Sequence, residues 1–485
     1  MRPKARKANS GHNSRPLVID LDGTLLDTDL LLECAFAYLR LNPLGVFTLL
    51  FWLFRGKAHL KARLAEAVDL DLENLPFNPA LLQHLEAERL QGRSLWLATA
   101  SDHLLAECIA QQLGVFDGVL ATRDGDNLSG HRKREVLQEQ FGEGGFDYAG
   151  NERRDLPVWA IAAKAWAVNP SRGVERRARR LGNLDAVIRT QPGYLGALAR
   201  SLRLHQWAKN LLLFVPLATS HQIVEPQLVF QAVTGFLAFG LCASAVYILN
   251  DLMDLRDDRQ HPSKRNRPLA RGALPIQHAL ILAPGLLLAA LALSILLLPT
   301  VFVVALGVYL FLTTLYSLWL KRLVIIDVIT LAMLYTLRII AGAAACGLAL
   351  TFWILAFSVF IFLSLAMVKR YAELLEARQG DSSAQSPGRG YNPDDLQVIS
   401  SLGGAAGYLS VLVLALYIQD PAAEVLYTRP EYIWLACPIL LFWVSRTWLL
   451  THRGQMPEDP VLFALKDRVS QGTGLVFLAV FIAAL

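Results

Sequence analysis

Two groups of carboxylates in this sequence are spaced for phosphate chemistry. In LVIDLDGTLL, residues 17 to 26, Asp20 and Asp22 close an apolar run and a Gly-Thr turn follows. Side chains alternate along a strand, so carboxylates one residue apart point the same way. One can attack a phosphoryl group while the other handles a proton, and both lie near enough to a divalent cation for it to neutralise phosphate charge. In AVYILNDLMDLRDD, a long apolar run ends in Asn250, Asp251, Asp254 and Asp258. At about 100° per residue, these four fall within an arc of roughly 100° on a helix. Such an acidic face is unfavourable without cations. Magnesium ions bridging a diphosphate would relieve it and stabilise the diphosphate as a leaving group. HPSKRNRPLARG follows within a few residues and offers Lys264, Arg265, Arg267 and Arg271 to phosphate oxygens. Acids for metals beside bases for phosphates make a diphosphate-binding arrangement; the bland alternative is a solvated acidic helix at a membrane edge.

Further residues extend both groups. SLWLATAS reads as a buried strand ending at Thr99, and HRKREVL puts Lys133 at the start of a helix, a hydroxyl and an ammonium suited to phosphate oxygens. FDYAGNERRDLPVW supplies Asn151 and Asp155 after a short strand, spaced to face one loop and help hold a metal. In YSLWLKRLVIIDVITLAMLYTLRIIAGA stand Tyr316, Lys321, Asp327 and Arg338. If Asp327 and Arg338 share a helix they lie on one side of it, roughly 16 Å apart along the axis. An arginine that deep is costly, so an aspartate or a lipid phosphate is its expected partner. RSLRLHQWAKN brings Arg203, Lys209 and Asn210 to the same rim, where snorkelling is the alternative role for Arg203 and Lys209. MVKRYAELLEARQG adds Lys369, Arg370 and Glu373.

The elements that must position these residues differ between the two ends of the chain. The 485 residues are 54% hydrophobic and 18% charged, with a mean hydropathy of +0.37, too apolar for a soluble protein and too charged for one wholly in a membrane. Up to about Gly193 charges are dense and apolar runs short. Beyond Trp207 come stretches near the roughly 20 residues that a spanning helix requires. About nine spans are expected, the first near Leu211 to Ala218 and the last over Thr473 to Leu485. Loops starting at Asp251, Lys321, Lys369 and Thr451 are rich in Lys and Arg, Arg389 among them, whereas the intervening loops hold Arg429 alone. The positive-inside rule places the basic loops and the N-terminal domain in the cytoplasm, and an odd number of spans puts the C-terminus outside.

The start, residues 1 to 15, is basic and expected to be disordered; it lacks the apolar core of a secretory signal. The five cysteines show no metal-ligand spacing and read as reduced packing residues. Residues 171 to 196 read as a basic linker, either solvated or lying against anionic headgroups. Within residues 30 to 90, which look helical, PLGVFTLLFWLF is too short to span a bilayer and is expected to serve as core rather than as a face resting on the membrane.

Taken in order, the motifs around Asp20, Thr99, Lys133 and Asn151/Asp155 resemble those of haloacid dehalogenase-type phosphatases over about residues 16 to 170. That resemblance implies an α/β Rossmann-like sheet with a helical cap at about 30 to 90. It implies that Asp20 forms an aspartyl-phosphate, Asp22 is the general acid/base, Thr99 and Lys133 bind phosphate, and Mg2+ is held by Asp20, the carbonyl of Asp22, Asn151 and Asp155. The family usually presents two carboxylates in its last motif, and Asn151 replaces the first. The remainder, residues 197 to 485, resembles the UbiA prenyltransferase superfamily, an all-α polytopic membrane fold of about nine helices. RLHQWAKN, NDLMDLRDD, YSLWLK and KRYAEL look most like its decaprenyl-phosphate phosphoribosyltransferase branch. By that resemblance Asn250, Asp251, Asp254 and Asp258 hold Mg2+ and the diphosphate of 5-phosphoribosyl 1-diphosphate (PRPP). Lys209, Asn210, Lys264, Arg265, Arg267, Tyr316, Lys321, Asp327, Arg338, Lys369 and Arg370 line the substrate site. Four residues separate Tyr316 from Lys321, one more than the branch's spacing.

The implied protein is a bifunctional enzyme of the bacterial inner membrane. It would transfer phosphoribose from PRPP to a polyprenyl phosphate for cell-envelope glycans, and its phosphatase domain would then remove the 5-phosphate. Alternatives are a prenyltransferase using an isoprenyl diphosphate and a small acceptor, and a transporter or lipid-binding protein with a regulatory phosphatase-like domain. No nucleic-acid partner is expected, and the oligomeric state is left open.

Overall fold

The computed structural model describes residues 15–485 except 124, 191–192, 380–389 and 458. The expected disorder of the first 14 residues, and Arg389, lie outside the described residues. The chain forms two compact units: Met1–Leu202 with Ile248–Leu282, and Arg203–Tyr247 with Ala283–Leu485.

The first unit is built on six strands: β1 (Leu17–Ile19), β2 (Leu95–Asp102), β3 (Gly118–Thr122), β4 (Asp147–Gly150), β5 (Ala165–Val168) and β6 (Leu184–Ile188). Its helices are α1 (Leu30–Leu41), α2 (Val46–Phe54), α3 (Lys57–Ala67), α4 (Pro79–Leu90), α5 (His103–Leu113), α6 (His131–Phe141), α7 (Leu156–Trp159), α8 (Arg172–Arg180) and α9 (Tyr194–Ser201). All strand pairs are parallel and the order is β3-β2-β1-β4-β5-β6. A parallel sheet is covered on both faces, which is why β1, β4 and β5 are buried at every position, Asp147 at the start of β4 included, and why β1 and β5 read as apolar runs without alternation. One face packs Leu17, Ile19, Leu97 and Ile109; the other packs Val18, Ala98, Phe146 and Trp159. The chain runs outward from β1 to β3 and then returns to β4 on the other side of β1. Ligands of such sheets bind where the order reverses, beyond the carboxyl ends of the strands. Asp20 follows β1 there and Asn151 follows β4.

Local signals start the helices. Asn78, with Pro79 behind it, caps α4 by accepting from Leu81 N; Asp102 caps α5 and Ser171 caps α8. The expected sheet and the helical cap at 30 to 90 are present. The domain extends further than the motifs did: within the stretch read as a linker, Arg172–Arg180 is a helix and Leu184–Ile188 pairs with β5 as the sixth strand. The cap also differs from expectation at α2, none of whose residues is fully buried: Leu49 and Trp52 pack on the cap's buried side chains, and the rest of the helix is largely exposed.

Onward from residue 203 the chain is helical. An 11-residue 3-10 segment, Leu204–Phe214, leads into α10 (Val215–Thr219), α11 (Pro226–Met253), α12 (Leu255–Gln260), α13 (Ile276–Leu297), α14 (Thr300–Leu318), α15 (Ile326–Cys346) and α16 (Phe352–Gln379). Then come α17 (Leu396–Tyr417), α18 (Pro421–Leu426), α19 (Ala436–His452), α20 (Pro460–Lys466) and α21 (Arg468–Ala484). Among the described residues seven helices are long and apolar enough to cross a membrane, or eight if α20 and α21, bent by 78°, form one span. That is fewer than the nine expected: the segment near Leu211 to Ala218 is a 3-10 stretch followed by a five-residue helix with Pro216 in its first turn. Seven spans would keep the odd number expected, and eight would not. The acidic stretch is not one continuous helix either, because α11 and α12 break at Asp254. Backbone bonds from Asp254 N to Asn250 O and from Asp258 N to Asp254 O carry the helical spacing across the break. The five cysteines are free, four of them buried.

Candidate active sites

At the carboxyl edge of the sheet, Asp20 and Asp22 flank the turn that ends β1. Lys133, from the first turn of α6, donates to Asp20 Oδ1 at 2.6 Å and to the Tyr148 hydroxyl at 3.1 Å. Asp22 Oδ1 accepts from Leu30 N at 2.8 Å, while its Oδ2 accepts from Ser101 Oγ at 2.6 Å and Thr99 Oγ1 at 3.4 Å. Thus the backbone of the cap's first helix and two hydroxyls of β2 fix the rotamer of Asp22. Gly23 has φ +75°, and a Cβ there would stand 2.2 Å from Asn151 Nδ2. Only glycine lets the β1 turn and the β4 loop close on one another.

The electrostatics are those of crowded buried acids. Burial pushes the Asp20 carboxyl up, and Asp155 and Asp22 push the same way against Lys133. Burial, then Asp29, pushes Asp22 up to about 6. Burial works to lower the Lys133 ammonium, but Asp20 and Asp155 outweigh it and its pKa is raised. Asp155 accepts from Asn151 N and Glu152 N at 2.9 Å each through Oδ2, and from the Tyr148 hydroxyl at 2.9 Å through Oδ1, so it caps the loop. Asn151 Oδ1 is buried with no hydrogen-bond partner among the described residues.

A cavity of about 560 Å³ opens from these residues. Beyond Asp20, Asp22 and Lys133 its lining includes Lys61 from the cap, Asn127, Glu152 and Arg154. Lys61 donates to Ala100 O at 2.5 Å and to Asn127 Oδ1 at 2.9 Å, and burial lowers its pKa. Neither Lys61 nor Ser101 was singled out from sequence. Ser101 had a signal, since it lies two residues after Thr99 and hence on the same side of β2; Lys61 had none.

Also within the first unit, the acidic and basic motifs meet. Arg267 bridges Asp251 Oδ1 at 3.1 Å and Asp258 Oδ2 at 2.6 Å, both carboxylates being buried. Burial pushes the Asp258 carboxyl up, with Arg267 opposing. Nε and Nη2 of Arg271 are buried and have no hydrogen-bond partner among the described residues. Lys264 is half-buried near Asp258, and Arg265 is exposed. A guanidinium buried without an acceptor is costly, so an anion beside Arg271 would remove the penalty.

In the second unit, Asp327 and Arg338 lie on α15 as expected, but they do not face a shared partner. Asp327 pairs with Arg370 at 2.6 Å, both almost fully buried, and accepts from the Tyr391 hydroxyl at 2.5 Å. Arg338 donates to Asn210 Oδ1, the Tyr309 hydroxyl and Leu334 O, among the rings of Phe239, Tyr309 and Tyr335. Its partner is therefore an amide in an aromatic cage, not an aspartate. Tyr316 sits against Arg370, which also pairs with Glu373. Lys209 pairs with Asp459 and lies over the Tyr335 ring. Lys369, one turn from Glu373 on α16, has no ion pair or hydrogen bond among the described residues. Lys321 lies in a short 3-10 turn after α14. Asp459 and Tyr391 are polar partners that sequence reasoning missed.

Among the described residues no three His, Cys, Asp or Glu side chains converge into a preformed metal cage. Mg2+ does not need one: it takes one or two carboxylates and completes its octahedron with waters and substrate phosphates. Asp20, Asp22 and the unpartnered Asn151 oxygen fit that habit, as do Asp251, Asp254 and Asp258.

Long apolar helices with buried ion pairs, preceded by an α/β sheet, define an integral membrane protein with an appended α/β domain. Residues 211–482 match the UbiA prenyltransferase family, to which the chain belongs. It is 36% identical over 472 residues to an uncharacterised protein, y4nM, of Sinorhizobium fredii, covering 97% of this chain and 91% of that one. It is 30% identical over 309 residues to the decaprenyl-phosphate phosphoribosyltransferase of Mycobacterium tuberculosis, covering 62% of this chain and 98% of that one. Among solved structures, a substrate-bound phosphoserine phosphatase aligns with 36% of this chain and 93% of that one, at 14% identity and a TM-score of 0.27.

Proposed function

We propose that the protein transfers 5-phosphoribose from PRPP to a polyprenyl phosphate and then hydrolyses the 5-phosphate with its α/β domain. One observation carries the first half: the similarity to decaprenyl-phosphate phosphoribosyltransferase runs over 98% of that enzyme, so it includes the whole transferase. The arrangement of Asp251, Asp258, Arg267 and Arg271 supports it, because Arg267 stands between the two carboxylates and Arg271 has buried N–H groups without an acceptor among the described residues, so a diphosphate bound with a cation would be met by both signs of charge.

In the transfer, an oxygen of the lipid phosphate attacks the anomeric carbon of ribose while the bond from that carbon to the diphosphate oxygen breaks. Asn250, Asp251, Asp254 and Asp258 would hold Mg2+, which supplies charge neutralisation of the departing diphosphate. Arg267 and Arg271 take diphosphate oxygens; Lys209, Lys321 and Lys369 take the other phosphates. Asn210, Asp327, Tyr316, Arg338 and Arg370 shape and orient the pocket.

In the hydrolysis, Asp20 attacks phosphorus and the ribose 5-oxygen leaves with a proton from Asp22. Water then releases phosphate from Asp20, with Asp22 taking its proton back. Thr99 and Lys133 bind the phosphoryl oxygens, and Mg2+ would be held by Asp20, Asp22, Asn151 and Asp155. The raised carboxyl of Asp22 suits a group that must carry a proton near neutral pH. The α/β domain lies on the cytoplasmic side of a bacterial inner membrane, with the basic loops.

The family match favours a second reading, transfer of a prenyl group from an isoprenyl diphosphate. Incubating the purified protein in lipid nanodiscs with Mg2+, ribose-labelled PRPP, polyprenyl phosphate and an isoprenyl diphosphate with a small acceptor separates the two. Label moves into the lipid if phosphoribose is transferred; no label in lipid, with consumption of an isoprenyl diphosphate instead, refutes it.

A further inference from the structure

The cap helix α2 gathers a cluster of exposed apolar side chains, and its polar tethers connect it to the ends of long apolar helices. One face packs Leu49 and Trp52 on Cys34, Leu60 and Leu64, so the helix is seated on the cap. The other presents Phe47, 71% exposed, with Leu50, Phe51 and Phe54, the last 89% exposed. Water-facing helices of soluble domains do not carry such a face; a contiguous apolar patch marks an interface. The sequence from Cys34 to Ala65 contains Arg40, Arg55, Lys57, Lys61 and Arg63 and no acidic residue at all. Phenylalanines and leucines flanked by cations and free of carboxylates are the composition of a helix lying in an anionic membrane surface.

Two tethers hold α2 at the level where spans end. Arg40, just before it, makes a two-pronged contact with Asp257 at 2.9 and 2.7 Å, on the α12 helix that continues α11 after one residue. Asp29, the N-cap of α1, accepts from Gln277 in the first turn of α13 at 3.2 Å. α11 and α13 are both long and apolar enough to cross a membrane. Moreover Gln277, Leu280 and Ile281 of α13 line the same cavity as Asp20 and Asp22, and Ile281 is 74% exposed. The pocket wall is thus partly the end of a spanning helix.

We propose that α2 is a bilayer-surface helix, and that the cavity of Asp20 opens at the lipid interface to receive a phosphomonoester carried on a membrane-anchored chain. The first clause stands on the surface alone; the second rests on the phosphatase activity proposed above. Aliphatic Leu280 and Ile281 take the lipid-proximal part of the substrate, while Lys61 and Lys133 take its phosphate end.

The test uses the full chain in nanodiscs containing anionic lipid, with Cys108→Ser removing the exposed thiol and Phe51→Cys carrying an environment-sensitive fluorophore. Glu139→Cys, exposed on α6, is the reference. Emission at position 51 should shift to the blue and be quenched by nitroxide lipids, with position 139 unaffected. Quenching no greater than at 139 overturns the proposal, and so does a blue shift without lipid quenching, which would mean a second copy or another protein covers α2. A second arm assays Phe47→Asp/Phe51→Asp against p-nitrophenyl phosphate and against vesicles of the phosphoribosylated lipid that Asp20→Asn protein accumulates. Lipid turnover should fall on the order of tenfold, as expected for losing one buried aromatic contact, with the soluble substrate unchanged. Equal loss on both contradicts the interfacial pocket. Hydrolysis of neither by the parent protein would remove the phosphatase activity, while the quenching result would still decide the surface.

Discussion

Glu33, in the first turn of the cap, and Arg259, on the helix that carries Asp258, form a buried ion pair with both guanidinium ends engaged, at 2.5 and 3.0 Å. Glu33 also accepts from Thr28 at 2.5 Å, and Arg259 Nε donates to Ala270 O. Through Thr28 and Leu30 the pair touches the loop that holds Asp22; through α12 it touches Asp258. Removing one member of a buried pair leaves a charge without compensation and costs about 3–5 kcal/mol.

Glu33→Gln should therefore lower the unfolding midpoint of the α/β domain and weaken both hydrolysis and transfer. Differential scanning fluorimetry with the two separate activity assays checks this. Loss of one activity with the other intact would show that the pair is merely local.

Arg271→Met should behave in the opposite way. The side chain gives up no hydrogen bond among the described residues, so stability should hold or rise. A charge-assisted contact to substrate is worth about 1.5–3 kcal/mol, which is roughly ten- to a hundredfold in the KM for PRPP. An unchanged KM would place the diphosphate elsewhere.

The acids at Asp20 and Asp22 make stability depend on pH and metal together. Burial, then Asp29, pushes the Asp22 carboxyl up to about 6 from its ordinary 3.8, so the folded state binds the proton more tightly. That contribution is complete below about pH 4 and is lost as pH rises through 6. With chelator present, the α/β domain should become less stable between pH 5 and 7.5, and Asp22→Asn should flatten the slope. Mg2+ competes with that proton, so its stabilising effect should grow over the same range, which thermal unfolding with and without Mg2+ measures.

Asn151→Asp should lower the Mg2+ concentration needed for half-maximal phosphatase activity, since it adds a charge where an uncompensated amide oxygen now sits. It should also make the metal-free domain less stable, because a further buried carboxylate joins Asp20, Asp22 and Asp155. An unchanged Mg2+ requirement would remove Asn151 from the metal site.

What was legible in the sequence follows from how local its physics is. Asp20 and Thr99 stand in or beside parallel strands whose unbroken apolar runs announce them, and Lys133 opens a helix, so their convergence follows from the sheet topology. Sixth-strand residues 184–188 were hidden because the helix before them, RGVERRARR, is charged everywhere except Gly173, Val174 and Ala178, and short strands after such a helix read as linker. The aromatic cage around Arg338, and the pairing of Lys209 with Asp459, join residues far apart in the chain, for which spacing carries no signal. At α2 the composition was plain, but whether an apolar nine-residue helix faces core or lipid depends on neighbours that only the fold supplies.

The most direct test of the two consecutive steps uses PRPP labelled with 14C in the ribose and 32P in the 5-phosphate, given to parent and Asp20→Asn proteins in nanodiscs with polyprenyl phosphate. The expected result is lipid carrying 14C without 32P for the parent, and both labels in equal amounts for Asp20→Asn. Equal labels in the lipid from the parent protein, or 32P lost equally from both, would contradict hydrolysis at Asp20.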